Sequence, residues 1–195
     1  MYIILIAAVL GMAPSNMELA EEALTLSLQG IPDSLQNYEV NEIKIELSGE
    51  HAGNWLVEQT VSAVLHEHSI GVGGRDSGSV SGMVLRIRPM EITVEYGDVS
   101  RSWVIGAKKV ERIARCELSL TLLEPQQAVL MTERTSGVVE DVISWSDADI
   151  LKGSEEWAWL SRELPENSGG GILEPIVVSG VVASLVYLFY SSRAD

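Results

Sequence analysis

The alternation of apolar and polar positions along the chain predicts most of its secondary structure. In "VNEIKIEL", Val40, Ile43, Ile45 and Leu47 stand against Glu42, Lys44 and Glu46, which is the short period of a half-buried strand. "NWLVEQTVSAVLHEH" changes period. Val57, Val61, Val64 and Leu65 share one helical face, with Asn54 as the expected cap. "SIGVGGRDSGSVSG" reads as a short strand running into a Gly- and Ser-rich loop. In "MVLRIRPMEITVEY" the apolar set is Met83, Leu85 and Ile87, then Met90, Ile92 and Val94, so the parity flips at Arg88-Pro89-Met90. An extra residue in one strand of a pair produces such a phase change, and proline has no ladder donor. A long strand bent at that point is expected. "VERIARCELSLTLLEP" is the clearest strand. Val110, Ala114, Cys116, Leu118, Leu120 and Leu122 line one face, and Glu111, Arg115, Glu117, Ser119 and Thr121 the other. "EPQQ" turns the chain into "AVLMTERTSGVV", a further strand. Upstream, "NMELAEEALTLSL" predicts a helix capped by Asn16 and broken near Gly30 and Pro32. Residues 145–164 read as irregular helix bearing Trp145, Trp157 and Trp159.

This order predicts an α+β layer, with helices packed on one face of a mostly antiparallel sheet. Apolar stretches flank it. "MYIILIAAVLGMA" is too short to span a bilayer as a helix and matches the apolar part of a secretory signal. Residues 1–13 are therefore expected to be a signal-like segment. From Ile172 to Tyr190 the only charge is Glu174, and about 28 Å of helix would result at 1.5 Å per residue. The expectation is an extracytoplasmic domain over 14–165, a linker over 166–171 and one C-terminal transmembrane helix over 172–191. Tyr187 and Tyr190 suit an interfacial belt, and Arg193 puts the C-terminus in the cytoplasm. The chain is thus expected in the cytoplasmic membrane as a single-pass protein with a periplasmic body. Ser179, Gly180, Ala183 and Ser184 form a small-residue strip on which another membrane helix would pack.

Charge narrows the partners. The chain has 28 acidic and 13 basic residues, a formal net charge of -15, which opposes nucleic-acid binding. A single cysteine, Cys116, makes no internal disulfide and no thiolate cage, and its strand position marks it as a small buried hydrophobe. The histidines are His51, His66 and His68. "HEH" is the best metal candidate, but positions i and i+2 diverge at a helix end, and a catalytic zinc usually takes three protein ligands. "GVGG" at 71–74 has neither Rossmann nor phosphate-loop spacing. No catalytic, cofactor or metal residue is assigned, and no small-molecule substrate is identified. Glu91 and Glu95 are expected to face basic residues of the next strand, Lys109 near Glu95. One stretch of this acidic chain is basic and aromatic: Arg101, Trp103, Val104 and Ile105, followed by Lys108, Lys109 and Arg112. Trp and Arg are enriched at binding hot spots, so Arg101, Trp103, Val104 and Ile105 are candidate partner contacts. Trp157 and Trp159 form a second candidate surface, close to the bilayer.

The stretch "VLRIRPMEITVEY…VERIARCELSLTLLEPQQAVLMTERTSG", within a helix, strand, long hairpin and strand at 54–139, resembles small α/β domains of bacterial envelope proteins. These are periplasmic accessory lipoproteins of the lipopolysaccharide-assembly, penicillin-binding-protein activator and curli-secretion types. The resemblance covers under half the chain and implies a domain that binds a partner and does no catalysis. Those proteins hang from an N-terminal lipidated cysteine, and here no cysteine lies near residue 1. The expectation is a non-enzymatic accessory or assembly subunit of a cell-envelope membrane protein complex serving transport, secretion, wall synthesis or energy conversion. Its partners would be the other subunits and the lipid bilayer. Two alternatives stand beside it: a membrane-anchored metal-dependent hydrolase using His51, His66 and His68, and a lipid- or solute-binding module with its pocket between helix and sheet.

Overall fold

A computed structural model describes residues 13–73, 82–101, 107–151 and 157–164. The elements are helix α1 (Asn16–Ser27), helix α2 (Ile31–Asn37), strand β1 (Glu42–Leu47), helix α3 (Asn54–Glu67), strand β2 (Gly71–Gly73), strand β3 (Met83–Arg101), strand β4 (Lys108–Leu123), strand β5 (Val129–Ser144) and helix α4 (Trp145–Leu151). The strands form one sheet in the order β2-β1-β3-β4-β5. The long strands β3, β4 and β5 make the expected antiparallel meander. β1, however, runs parallel to both β2 and β3. The sheet is therefore mixed: mostly antiparallel, as expected, with a short parallel margin that the pattern did not predict. The reason is α3: a helix between β1 and β2 carries the chain back across the sheet, and such a crossover leaves its two strands parallel.

The parity flip is a bulge. The register of β3 against β4 shifts between Pro89 and Glu91. Leu85 and Ile87 are buried before it and Ile92 and Val94 after it, while Met90 is pushed out to solvent. Its position follows from the hydrogen bonds. The carbonyl of Ile87 accepts from the Ser48 amide at 2.8 Å, so odd residues of this half of β3 point their backbone groups towards β1. Pro89 therefore places its missing donor on that side, where β1 has already ended at Leu47. A second shift lies between Tyr96 and Val99. The two shifts set the final register, with Glu95 opposite Ile113 and Lys109 opposite Ser100. Lys109 is thus not the partner of Glu95. Glu95 instead meets Arg162 at 2.9 Å and Arg115 at 3.9 Å, and Glu91 stands opposite Glu117.

Helices α1 and α3 cover one sheet face. Leu19, Leu24, Leu28, Leu56, Val57, Val61 and Leu65 pack with Leu85, Ile87, Leu118, Leu120 and Leu122 in a single core. Cys116 is buried there as expected, with its thiol pushed up to about 11 by loss of water. α1 approaches β5 backbone to backbone: a Cβ on Gly137 would overlap the carbonyl oxygen of Ala23 and lie 2.7 Å from the Ser27 amide nitrogen. The caps differ from those expected. Ser15, not Asn16, caps α1, in a capping box with Glu18 whose hydrogen bonds lower the Glu18 pKa. Gly53, not Asn54, stands at the N-cap of α3.

Asn16 is needed elsewhere. Arg112, expected as part of an exposed basic stretch, is fully buried. Its Nε and Nη2 donate to Asp141 Oδ1 at 2.9 Å and Oδ2 at 2.5 Å, a bidentate pair. Nη1 donates to Asn16 Oδ1 at 2.8 Å, and Nη2 also to the Pro14 carbonyl at 2.9 Å. Asn16 Nδ2 then donates to Tyr96 Oη at 2.7 Å and to the Leu151 carbonyl at 3.0 Å. One guanidinium thereby ties the start of α1 to β3, β4, β5 and the end of α4.

The expected C-terminal transmembrane helix, and with it the single-pass placement, is corrected. No helix among the described residues is long and apolar enough to cross a membrane. The longest, α3, has 14 residues, whereas a span needs roughly 20. Residues 172–191, including Ser179, Gly180, Ala183 and Ser184, lie outside the described residues, as does the signal-like segment up to residue 12.

Candidate interaction site

The sequence places Trp55 off the apolar face of its helix. With Val57, Val61 and Leu65 turned to the core, a residue two positions before Val57 points the other way. Trp55 is accordingly 44% exposed, on the first turn of α3. Its ring lies 5.7 Å from that of Trp157, tilted by 49°. Trp157 is half-buried, and so is Trp159, which packs on the turn that starts α3.

The support is built from the turn that starts α3. His51 Nδ1 accepts from the Gly53 amide at 3.0 Å, and the His51 carbonyl accepts from the Asn54 amide at 3.1 Å. The Trp159 ring covers Gly53 so closely that a Cβ there would come within 2.8 Å of Cη2 and 2.9 Å of Cζ3. His51 and Trp159 meet edge to face, 5.6 Å apart at 87°. Burial lowers the His51 pKa, and only an unprotonated Nδ1 accepts the Gly53 hydrogen bond.

The segment carrying Trp157 and Trp159 is anchored by backbone. Past the bulge, even residues of β3 face the edge that β1 leaves free. The Val94 amide donates to the Leu160 carbonyl at 2.7 Å and the Val94 carbonyl accepts from the Arg162 amide at 3.0 Å, a parallel bridge centred on Ser161. Leu160 is buried in the main core, and Arg162 pairs with Glu95. The result is a half-exposed tryptophan pair on a support fixed by ladder bonds, ring packing and a glycine. Large rigid rings lose little entropy on contact, which suits them to binding another surface.

Of the expected contacts, Trp157 and Trp159 belong to this site. The sequence does not mark Trp55 and His51 as contacts, although the position of Trp55 opposite the apolar stripe is legible. Trp103, Val104 and Ile105 lie outside the described residues, and Arg101 is described only as the last residue of β3. The histidines are not brought together. His51 precedes α3 and His66 and His68 follow its end, about 20 Å away at 1.5 Å per residue. His68 Nδ1 contacts the Val64 carbonyl at 2.9 Å. Among the described residues no group of three or more His, Cys, Asp or Glu side chains is placed to hold a metal ion.

No protein-family model matches the sequence. No curated protein matches it either. Solved structures do. A minor lipoprotein from Acinetobacter baumannii is similar at 13% identity and TM-score 0.38, over 62% of this chain and 78% of that one. Rare lipoprotein B from Shewanella oneidensis is similar at 12% identity and TM-score 0.36, over 74% of this chain and 99% of that one. An uncharacterized lipoprotein B from Nitrosomonas europaea is similar at 15% identity and TM-score 0.31, over 61% and 73%. All three of these solved structures are of bacterial lipoproteins.

Proposed function

We propose that the protein is a non-enzymatic accessory or assembly subunit of a bacterial cell-envelope protein complex, and that it contacts its partner through Trp55 and Trp157. The observation that carries this reading is the braced tryptophan pair. Trp55 is left out in solvent, and two devices fix the segment that carries its partner ring Trp157: the packing of Trp159 over Gly53 and the Val94–Ser161 bridge. Packing alone has no use for an exposed ring on so fixed a base. The envelope setting is supported by the sequence resemblance to periplasmic accessory lipoproteins.

The test is extraction of the native protein from its cells in mild detergent, with mass spectrometry of what remains attached. A fixed-ratio set of envelope proteins supports the reading, and Trp55→Ala should lose that set while the protein itself stays folded. A solitary protein, or one carrying only metal or lipid, overturns it.

A further inference from the structure

Strand β5 forms one margin of the sheet and runs for 16 residues. Long exposed strand edges template pairing with another chain unless something blocks them. The direction of its backbone groups follows from β3. Val94 spends both its amide and its carbonyl on residues 160 and 162, so its pair with Ala114 exchanges no hydrogen bonds. Ala114 therefore turns its groups to β5, where it pairs with Val139. It follows that odd residues of β5 bond to β4, and that even residues from Thr132 to Val142 aim their amides and carbonyls outwards. Among the described residues no backbone hydrogen bond reaches that edge. On the open face of the sheet beside this edge, Val138 is 40% exposed and Val142 59%.

We infer that this edge pairs with the same edge of a second copy of the chain, antiparallel, about a two-fold axis through Gly137. The charges select that register. With the axis at Gly137, Arg134 stands opposite Glu140 of the other copy, and the symmetry repeats the pair. Arg134 meets Glu117 within its own chain, yet its side chain stays largely open to solvent and free to be shared. Thr132 then meets Val142, and Ser136 meets Val138. Moving the axis to Ser136 or Val138 sets Arg134 opposite a valine and loses both ion pairs. Even residues face even residues throughout, so the six pairs from Thr132 to Val142 exchange about twelve N–H···O bonds. On the helix face the same register sets Glu133 opposite Asp141, whose charge is already met by Arg112. Helix α1 lies across β4 and β5, with Ser27 Oγ 3.8 Å from Cys116 Sγ and Ala23 against Gly137. It sits over the two strands, and the two-fold axis brings it beside its copy on one side of a sheet twice as wide.

The full chain, in sedimentation equilibrium, is expected to be a dimer. Glu140→Arg sets an arginine opposite Arg134 and should weaken association at least tenfold. Arg134→Glu should do the same by setting a glutamate opposite Glu140. Neither variant is complementary to itself, but each is complementary to the other, so an equimolar mixture should recover dimer. Circular dichroism establishes that each variant is folded. Should Arg134→Glu fail to fold, amide exchange of the parent protein decides. The amides of the even residues 132–142 should become protected as concentration rises through the dimer range, and those of the odd residues should be protected throughout. A monomeric parent protein, an unchanged dimer in Glu140→Arg, or even-residue amides indifferent to concentration would overturn the inference.

Discussion

Removal of Asp141 isolates a buried cation, and the structure fixes how much that should cost. The Arg112 side chain has no exposure to solvent, and Asp141 is its only charged partner among the hydrogen bonds described above. In Asp141→Ala the guanidinium keeps Asn16 Oδ1 and the Pro14 carbonyl but has no counter-charge. Breaking a buried pair by deleting one partner costs about 3–5 kcal/mol. Total stabilities of domains are about 5–15 kcal/mol, so this one substitution removes a large part of the margin. The exposed pair Arg86–Glu46, at 2.9 Å, is the internal control: its loss in Glu46→Ala should cost no more than about 1 kcal/mol. The assay is urea unfolding of the full chain, followed by circular dichroism and tryptophan fluorescence together to establish a single transition. The double variant Arg112→Met/Asp141→Leu removes both charges and should be less damaged than Asp141→Ala, because no buried charge is stranded. The reasoning fails if Asp141→Ala unfolds within about 1 kcal/mol of the parent, level with Glu46→Ala.

Two further substitutions probe other supports. Gly137→Ala should destabilise the fold by about 1–3 kcal/mol, since its Cβ meets the α1 backbone and no flexible side chain that could yield; urea midpoints measure it. His51 supplies a pH dependence whose sign follows from burial. Its folded-state pKa lies below the ordinary 6.5, so the unfolded chain binds the proton more readily. The contribution is complete above 6.5 and is lost as pH falls through the depressed folded-state value. The parent should therefore lose more stability between about pH 7 and pH 5 than His51→Asn, whose side-chain oxygen can still accept from Gly53. Equal slopes in urea unfolding at the two pH values would rule out His51 as the titrating group.

Much of this was legible in the sequence, and particular residues show why. The flip at Arg88-Pro89-Met90 marks the bulge because side-chain period and backbone pairing are locked together in a strand. The alternation in β4 gives its two faces directly. The same parity already places Arg112 between Val110 and Ala114 on the core side. Arginine's usual exposure hid that signal, and its partners Asn16 and Asp141 lie 96 and 29 residues away. The parallel placement of β2 was not legible, because three residues of "GVG" carry no period. The backbone anchoring of Trp157 and Trp159 includes a bridge to Val94, a pairing that exists only once β3 has changed parity. The candidate site was half visible: its tryptophans stand out in composition, whereas the glycine that admits Trp159 is silent until the ring is seen above it.

The most direct test of the central claim is photo-crosslinking in the native cell. A photoreactive residue replaces Gln59, an exposed position one turn of α3 beyond Trp55, and a second variant carries it at exposed Gln36 on α2. The account predicts that position 59 captures one envelope protein, that position 36 does not, and that adding Trp55→Ala abolishes the capture. Capture of that protein from both positions alike, or undiminished capture without Trp55, would contradict it.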